Sequence, residues 1–125
     1  VRLKRLMPGD VALAVVLYSA LAVAVVVIGL AGGTLSNQLN QMGHHVTAVE
    51  LDGRLPEVAA SFFGLNDQIN VVIDDGRHFI SSCNSNYGLI VVDAFRGEVI
   101  PGHLLTSESL SRIKSLLTPG GFFFS

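Results

Sequence analysis

At 125 residues the chain has the length of one domain, and a formal net charge of −2, with eight basic residues scattered apart from Arg2, Lys4 and Arg5, excludes a basic face for nucleic acid. Half the residues are hydrophobic and only 14% are charged, the balance expected of strands covered on both faces by helices. The single cysteine, Cys83, excludes an internal disulfide and is read as an inert thiol, which fits a reducing, cytoplasmic compartment.

Pro8-Gly9-Asp10 is a break with a candidate helix cap at Asp10, so a helix is expected over residues 11–20. Residues 11–30 carry no charge, a run longer than the about 18 residues that raise the question of a transmembrane helix. With Arg2, Lys4 and Arg5 just upstream, the pattern also fits a signal peptide or membrane anchor. Two readings stand side by side. In one, residues 1–23 are an apolar amino-terminal helix or segment ahead of a domain over residues 24–125; in the other, residues 11–30 associate with a membrane. The Val-rich last third, over residues 24–29, suits a buried strand better, and residues 11–21 alone are too short for a bilayer of about 30 Å.

That strand breaks into Gly29-Leu30-Ala31-Gly32-Gly33. Residues 34–42 follow as a helix with Leu35, Leu39 and Met42 at helical spacing, ended by Gly43. A second strand, residues 46–50, stops at Glu50, and Asp52-Gly53 makes a turn. Residues 56–63 are expected to form a helix with Val58, Phe62 and Phe63 toward the sheet, stopped by Gly64. A short third strand, residues 70–73, leads to Asp75-Gly76-Arg77 and a helical turn or two over residues 78–83. The fourth strand, residues 87–92, ends at Asp93, and a loop over residues 94–103 follows. Residues 107–117 form an amphipathic helix with Leu110, Ile113, Leu116 and Leu117 on one face, and Thr118-Pro119-Gly120-Gly121 is a tight turn into Phe122-Phe123-Phe124. Strands alternating with helices imply right-handed crossovers and a mainly parallel sheet. The chain stops in or just after the fifth strand, which would leave an exposed edge and is expected of a truncated fragment.

In open sheets of this kind the ligand lies beyond the carboxyl ends of the strands. Those ends are residues 29–33, Glu50, Asp75 and Asp93. A β-branched run that stops at a Gly-rich turn and restarts as a helix presents bare backbone N–H groups to a ligand. A carboxylate about 20 residues further on stands where an acidic residue meets ribose hydroxyls in Rossmann-like folds. Each acid also has a bland reading: Glu50 as a solvated strand end, Asp75 as a helix N-cap, Asp93 as a loop cap. The four histidines lack metal-site spacing, so no metal is expected.

The ordered series Ile28-Gly29-Leu30-Ala31-Gly32-Gly33-Thr34-Leu35, Val49-Glu50-Leu51-Asp52, Asp75-Gly76-Arg77-His78-Phe79, Val91-Val92-Asp93-Ala94-Phe95, Ile100-Pro101-Gly102-His103-Leu104-Leu105-Thr106 and Leu117-Thr118-Pro119-Gly120-Gly121 resembles the successive motifs of spermidine synthase-like proteins. These are polyamine aminopropyltransferases on the class I S-adenosylmethionine methyltransferase fold. The resemblance implies a Rossmann-like three-layer sandwich with strand order 3-2-1-4-5. It implies that Gly29, Leu30, Ala31, Gly32 and Gly33 line the amino-acid and ribose end of S-adenosylmethionine or its decarboxylated form. Glu50 is then the ribose ligand, Asp75 with Gly76 the adenine contact, and Asp93 the catalytic carboxylate that takes a proton from an attacking amine such as putrescine. A homodimer is also implied.

The departures from the family pattern have consequences. Ala31 stands where related loops have glycine, Gly53 replaces a common proline, and Arg96 occupies the place of a second aspartate, where a cation repels a diamine. The family's amino-terminal β-hairpin domain has no matching segment. Three functions follow: aminopropyl transfer to a small amine, methyl transfer to a protein or small molecule, and a non-catalytic remnant or ligand-binding domain. The form of the Asp93 motif looks closer to the spermidine synthase-like branch fused to membrane transporters.

Overall fold

The computed structural model describes residues 2–4, 24–30, 33–92 and 106–124. The expected helix over residues 11–20, Ala31, Gly32, Asp93, Arg96 and the loop over residues 94–103 lie outside the described residues. Val25, Val26, Val27 and Ile28 are each no more than 3% exposed, because strand β2 (Ala24–Ile28) is flanked in-plane and covered on both faces. The described end of the uncharged run is therefore a buried strand. Among the described residues no helix is long and apolar enough to cross a membrane.

Strand β2 pairs in parallel with β3 (His45–Glu50) on one side and β5 (Tyr87–Val92) on the other. Strand β4 (Asn70–Ile73) lies outside β3, and β6 (Leu117–Phe124) outside β5. The resulting order β4-β3-β2-β5-β6 is the expected 3-2-1-4-5. One further strand, β1 (Arg2–Lys4), runs parallel to β6 with Arg2 opposite Phe122 and Lys4 opposite Phe124. The edge expected to be bare is thus paired over those residues. Three residues, two of them basic, show no alternation by which sequence could have marked a strand.

Helices α1 (Thr34–Gln41) and α2 (Leu55–Phe63) cover one face, and α3 (Gly76–Ser82) and α4 (Ser107–Leu116) the other. Val25 and Val27 join Leu39, Ala59, Leu89 and Val91 in one core cluster, whereas Val26 and Ile28 join Ile80, Ile90, Val92 and Ile113 in the other. This is the period of two expected of a strand, read out on two hydrophobic layers.

Two local expectations are corrected. In α2, Val58, Phe62 and Phe63 are 39%, 79% and 62% exposed, while Ala59 is 1% exposed. The small Ala59 takes the sheet-facing position, and the chain turns back after Gly64, where the Leu65 N–H donates to the Ala59 carbonyl at 3.1 Å, so that Leu65 packs into the core in place of the aromatic rings. At the other correction, Thr118-Pro119-Gly120-Gly121 does not separate helix from strand. Leu117 already pairs with Tyr87 and Phe122 with Leu89, so the four residues form an irregularity inside β6. A side chain on Gly121 would meet the Thr118 carbonyl at 2.9 Å and the Gly88 carbonyl at 3.1 Å, which explains glycine there.

Candidate functional site

Parallel pairing brings the carboxyl ends of β2, β3 and β4 side by side. The Gly29 N–H donates to the Val49 carbonyl at 2.7 Å, and the Asp74 N–H donates to the Glu50 carbonyl at 3.1 Å. Gly29 has φ 100, a left-handed conformation that lets the chain leave β2 sharply where it passes the end of β3. Glu50 lies between them, 9% exposed. Its Oε1 accepts the Leu30 N–H and its Oε2 the Asp52 N–H, both at 2.9 Å. A buried carboxylate requires such donors to offset its lost hydration, and here they come from the two turns that flank it. Glu50 therefore ties the turn after β2 to the turn after β3. Asp52 in turn is held down to about 2 by side-chain and backbone hydrogen bonds from Arg54.

Gly33 occupies the N-cap position of α1 with φ 86, and a side chain there would stand 2.6 Å from Leu65 Cδ1. Its N–H donates to the Leu30 carbonyl at 2.8 Å, closing the turn. Asn37 secures the same helix: its Nδ2 donates to the Gly64 carbonyl at 3.0 Å and its Oδ1 accepts the Asn66 N–H at 2.8 Å. Ser36, in the first turn of α1, is 1% exposed and its Oγ has no hydrogen-bond partner among the described residues.

On the far side of Glu50, Asp74 follows β4 and Asp75 caps α3, its Oδ1 accepting the Arg77 N–H at 2.8 Å. Gly76 is the first residue of that helix. Asp74 organises the turn: its Oδ1 accepts the Asp75 N–H at 2.8 Å, and its carboxylate pairs with His78 Nδ1 at 2.9 Å. This pairing raises the His78 pKa above its ordinary value. The register that sets Val92 opposite Ile28 brings the end of β5 to the same edge; Asp93, the next residue, lies outside the described residues. Gly29, Leu30, Gly33, Glu50, Asp75 and Gly76 thus gather along one edge, while the placement of Ala31, Gly32 and Asp93 is not described.

Sequence reasoning missed Leu51 and Ile73. They are 72% and 51% exposed; Leu51 directly follows the last residue of β3, and Ile73, the last residue of β4, lies opposite Glu50 in the strand register. Their signal was an apolar residue set among turn-forming acids. Asp74 was missed because Asp75-Gly76 carried the motif. Among the described residues no group of three or more His, Cys, Asp or Glu is placed to hold a metal ion. A cavity of about 590 Å³ opens at the opposite, amino edge beside Asn40, His44, His45, Gln68 and Asn70. Among the described residues none of the strand-end carboxylates lines it.

No family model matches the chain. It is 30% identical over 114 residues to a probable polyamine aminopropyl transferase of Bifidobacterium longum, covering 90% of this chain and 26% of that protein. It is also 33% and 30% identical to the polyamine aminopropyltransferases of Vibrio vulnificus and Thermoplasma volcanium, and the chain spans only 26% to 39% of the length of these three relatives. Among solved structures, human methyltransferase-like protein 13 in complex with S-adenosylhomocysteine matches with TM-score 0.73 and 29% identity, over 85% of this chain and 55% of that one. A probable spermidine synthase from Corynebacterium glutamicum matches with TM-score 0.75 and 23% identity, over 81% of this chain and 38% of that one.

Proposed function

Because the chain has the spermidine synthase-like form of the class I S-adenosylmethionine-dependent methyltransferase fold, we propose that its carboxyl-edge site binds S-adenosylmethionine or the decarboxylated form and serves transfer of an aminopropyl group to a small amine. The observation that carries this reading is the position of Glu50, buried between two strand-end turns with both oxygens already oriented by backbone N–H groups. A carboxylate only accepts hydrogen bonds and has room for more than one at each oxygen, so it suits vicinal ribose hydroxyls. Leu51 and Ile73 supply the apolar surface a purine needs, and Asp75 lies one residue beyond the Asp74 backbone bonded to Glu50. The residues present fit an adenosyl group.

When bound, such a cosubstrate supplies a sulfonium carbon open to displacement. Amine attack forms a carbon–nitrogen bond, breaks the carbon–sulfur bond and releases a neutral thioether. The resemblance gives Asp93 the task of holding the amine and taking its proton; Glu50 and Asp75 fix the nucleoside, so orientation supplies much of the acceleration. Methyl transfer is the second reading. Its specific support is the 29% identity to human methyltransferase-like protein 13, together with Arg96 where a diamine-binding acid is expected.

Calorimetric titration with both cosubstrates tests the binding, and Glu50→Ala is expected to abolish it. Silence of the unaltered chain toward both, or unchanged affinity in Glu50→Ala, overturns the assignment. Incubation of each cosubstrate with putrescine then separates the chemistries: spermidine formed from the decarboxylated form supports aminopropyl transfer, and methylated amine supports the second reading.

A further inference from the structure

Helix α3 has seven residues, and a helix of two turns has little stability of its own. Its place at the site is set by what holds it. Its buried anchor is Ile80, at 2% exposed, supported by the partly buried Phe79. One apolar anchor fixes distance from the sheet but resists rotation and sliding poorly.

A polar clamp supplies the missing constraints. Arg112, on α4, reaches across to the carboxyl end of α3, where the last carbonyl groups of a helix lack internal partners. Its Nε donates to the Ile80 carbonyl at 3.1 Å, and its Nη2 donates to the Cys83 carbonyl. Its third nitrogen, Nη1, stands 3.5 Å from Ser115 Oγ, and Ser115 Oγ itself donates to the Arg112 carbonyl at 2.6 Å. The planar fork thus engages two carbonyls three residues apart on one element while braced on another. Toward the other end of α3, Arg77 and Glu108 are 3.9 Å apart with both side chains exposed, a weak tie.

We propose that Arg112 is a positioning residue for recognition of the nucleobase. The inference rests on the adenosyl-site reading and extends it to a residue remote from the ligand. A helix of seven residues is about 10 Å long and moves as a rigid unit. Motion at its clamped carboxyl end is therefore transmitted to Asp75, the cap at its amino end and the assigned partner of the adenine amino group. Hydrogen-bonding geometry tolerates little displacement, so releasing the clamp costs base recognition more than it costs ribose binding at Glu50, which is held by other turns.

The test measures calorimetric affinity for S-adenosylhomocysteine and for S-inosylhomocysteine, in which a carbonyl replaces the adenine amino group. The unaltered chain is expected to prefer the adenosyl ligand. Arg112→Met is expected to reduce that preference about five- to tenfold, the range of one hydrogen bond, with the inosyl affinity little changed. Arg112→Lys, which keeps a cation but reaches one carbonyl rather than two, is expected to fall between, and it serves where the methionine variant does not fold. A preference that survives in both variants, whether or not overall affinity drops, overturns the positioning role and leaves the adenosyl site standing. An unaltered chain that binds both ligands equally overturns the Asp75 assignment, and the role of Arg112 with it.

Discussion

At the scale of single residues, Gly33 answers to packing. Gly33 and Gly43 both adopt left-handed conformations, with φ 86 and φ 93, but a side chain on Gly33 meets Leu65 Cδ1 at 2.6 Å whereas one on Gly43 meets nothing within 4 Å. Gly43→Ala should therefore show only the conformational cost of about 1–2 kcal/mol. Gly33→Ala should exceed it by about 0.5–1.5 kcal/mol, the cost of pushing Leu65 off its rotamer. Urea denaturation of both variants measures the difference, and Leu65→Ala in the Gly33→Ala background should remove the excess if the contact is its cause. The family resemblance implied that Gly33 lines a cosubstrate. Its tertiary neighbour, Leu65, lies beyond α2 in the chain, and no local pattern announces that contact.

At the scale of elements, sequence was most legible where a period repeats on a covered surface. The apolar runs of β2 and β5 and the stripe Leu110-Ile113-Leu116 on α4 lie where their spacing put them, because each faces a layer on the sheet, whereas Leu117, expected on the same helical stripe, already begins β6. Helix α2 failed because size outweighed hydrophobicity: Ala59 permits close approach to the sheet, and the larger Val58 and Phe62 fall on the outer surface. Phe62→Ser should then shift stability by less than about 0.5 kcal/mol, the behaviour of a surface position. Ala59→Leu should cost about 1–3 kcal/mol by overpacking. The opposite ranking in thermal unfolding would restore the aromatic face to the core. The turn from β4 into α3 was legible as Asp75-Gly76, but its organiser, Asp74, was not, because its role depends on a backbone bond to Glu50 from a neighbouring strand.

Across the whole molecule the parallel sheet creates two chemically different edges, and its polarity explains why the strand-end acids could be read from sequence as one group. Chain direction alone places every carboxyl end together, whereas side-chain orientation along that edge depends on turns and neighbours. The two edges also carry histidines of opposite sign. At the amino edge His44 is 5% exposed, its Nε2 has no partner among the described residues, and burial lowers its pKa from 6.5. The fold therefore holds it neutral; its contribution is complete above 6.5 and is lost as pH falls. At the carboxyl edge His78 pairs with Asp74, which raises its pKa above 6.5, so its contribution is complete below 6.5 and is lost as pH rises through the raised value. The two dependences oppose one another. His44→Leu should leave a chain whose stability falls on the alkaline side only, and His78→Ala one that falls on acidification, measured as denaturant midpoints between about pH 5 and 8. Added salt should erase the His78 contribution, which faces solvent, and spare that of His44, which reflects desolvation. If salt instead flattened the acid limb in His78→Ala, the His44 dependence would have to arise from a neighbouring charge rather than from burial.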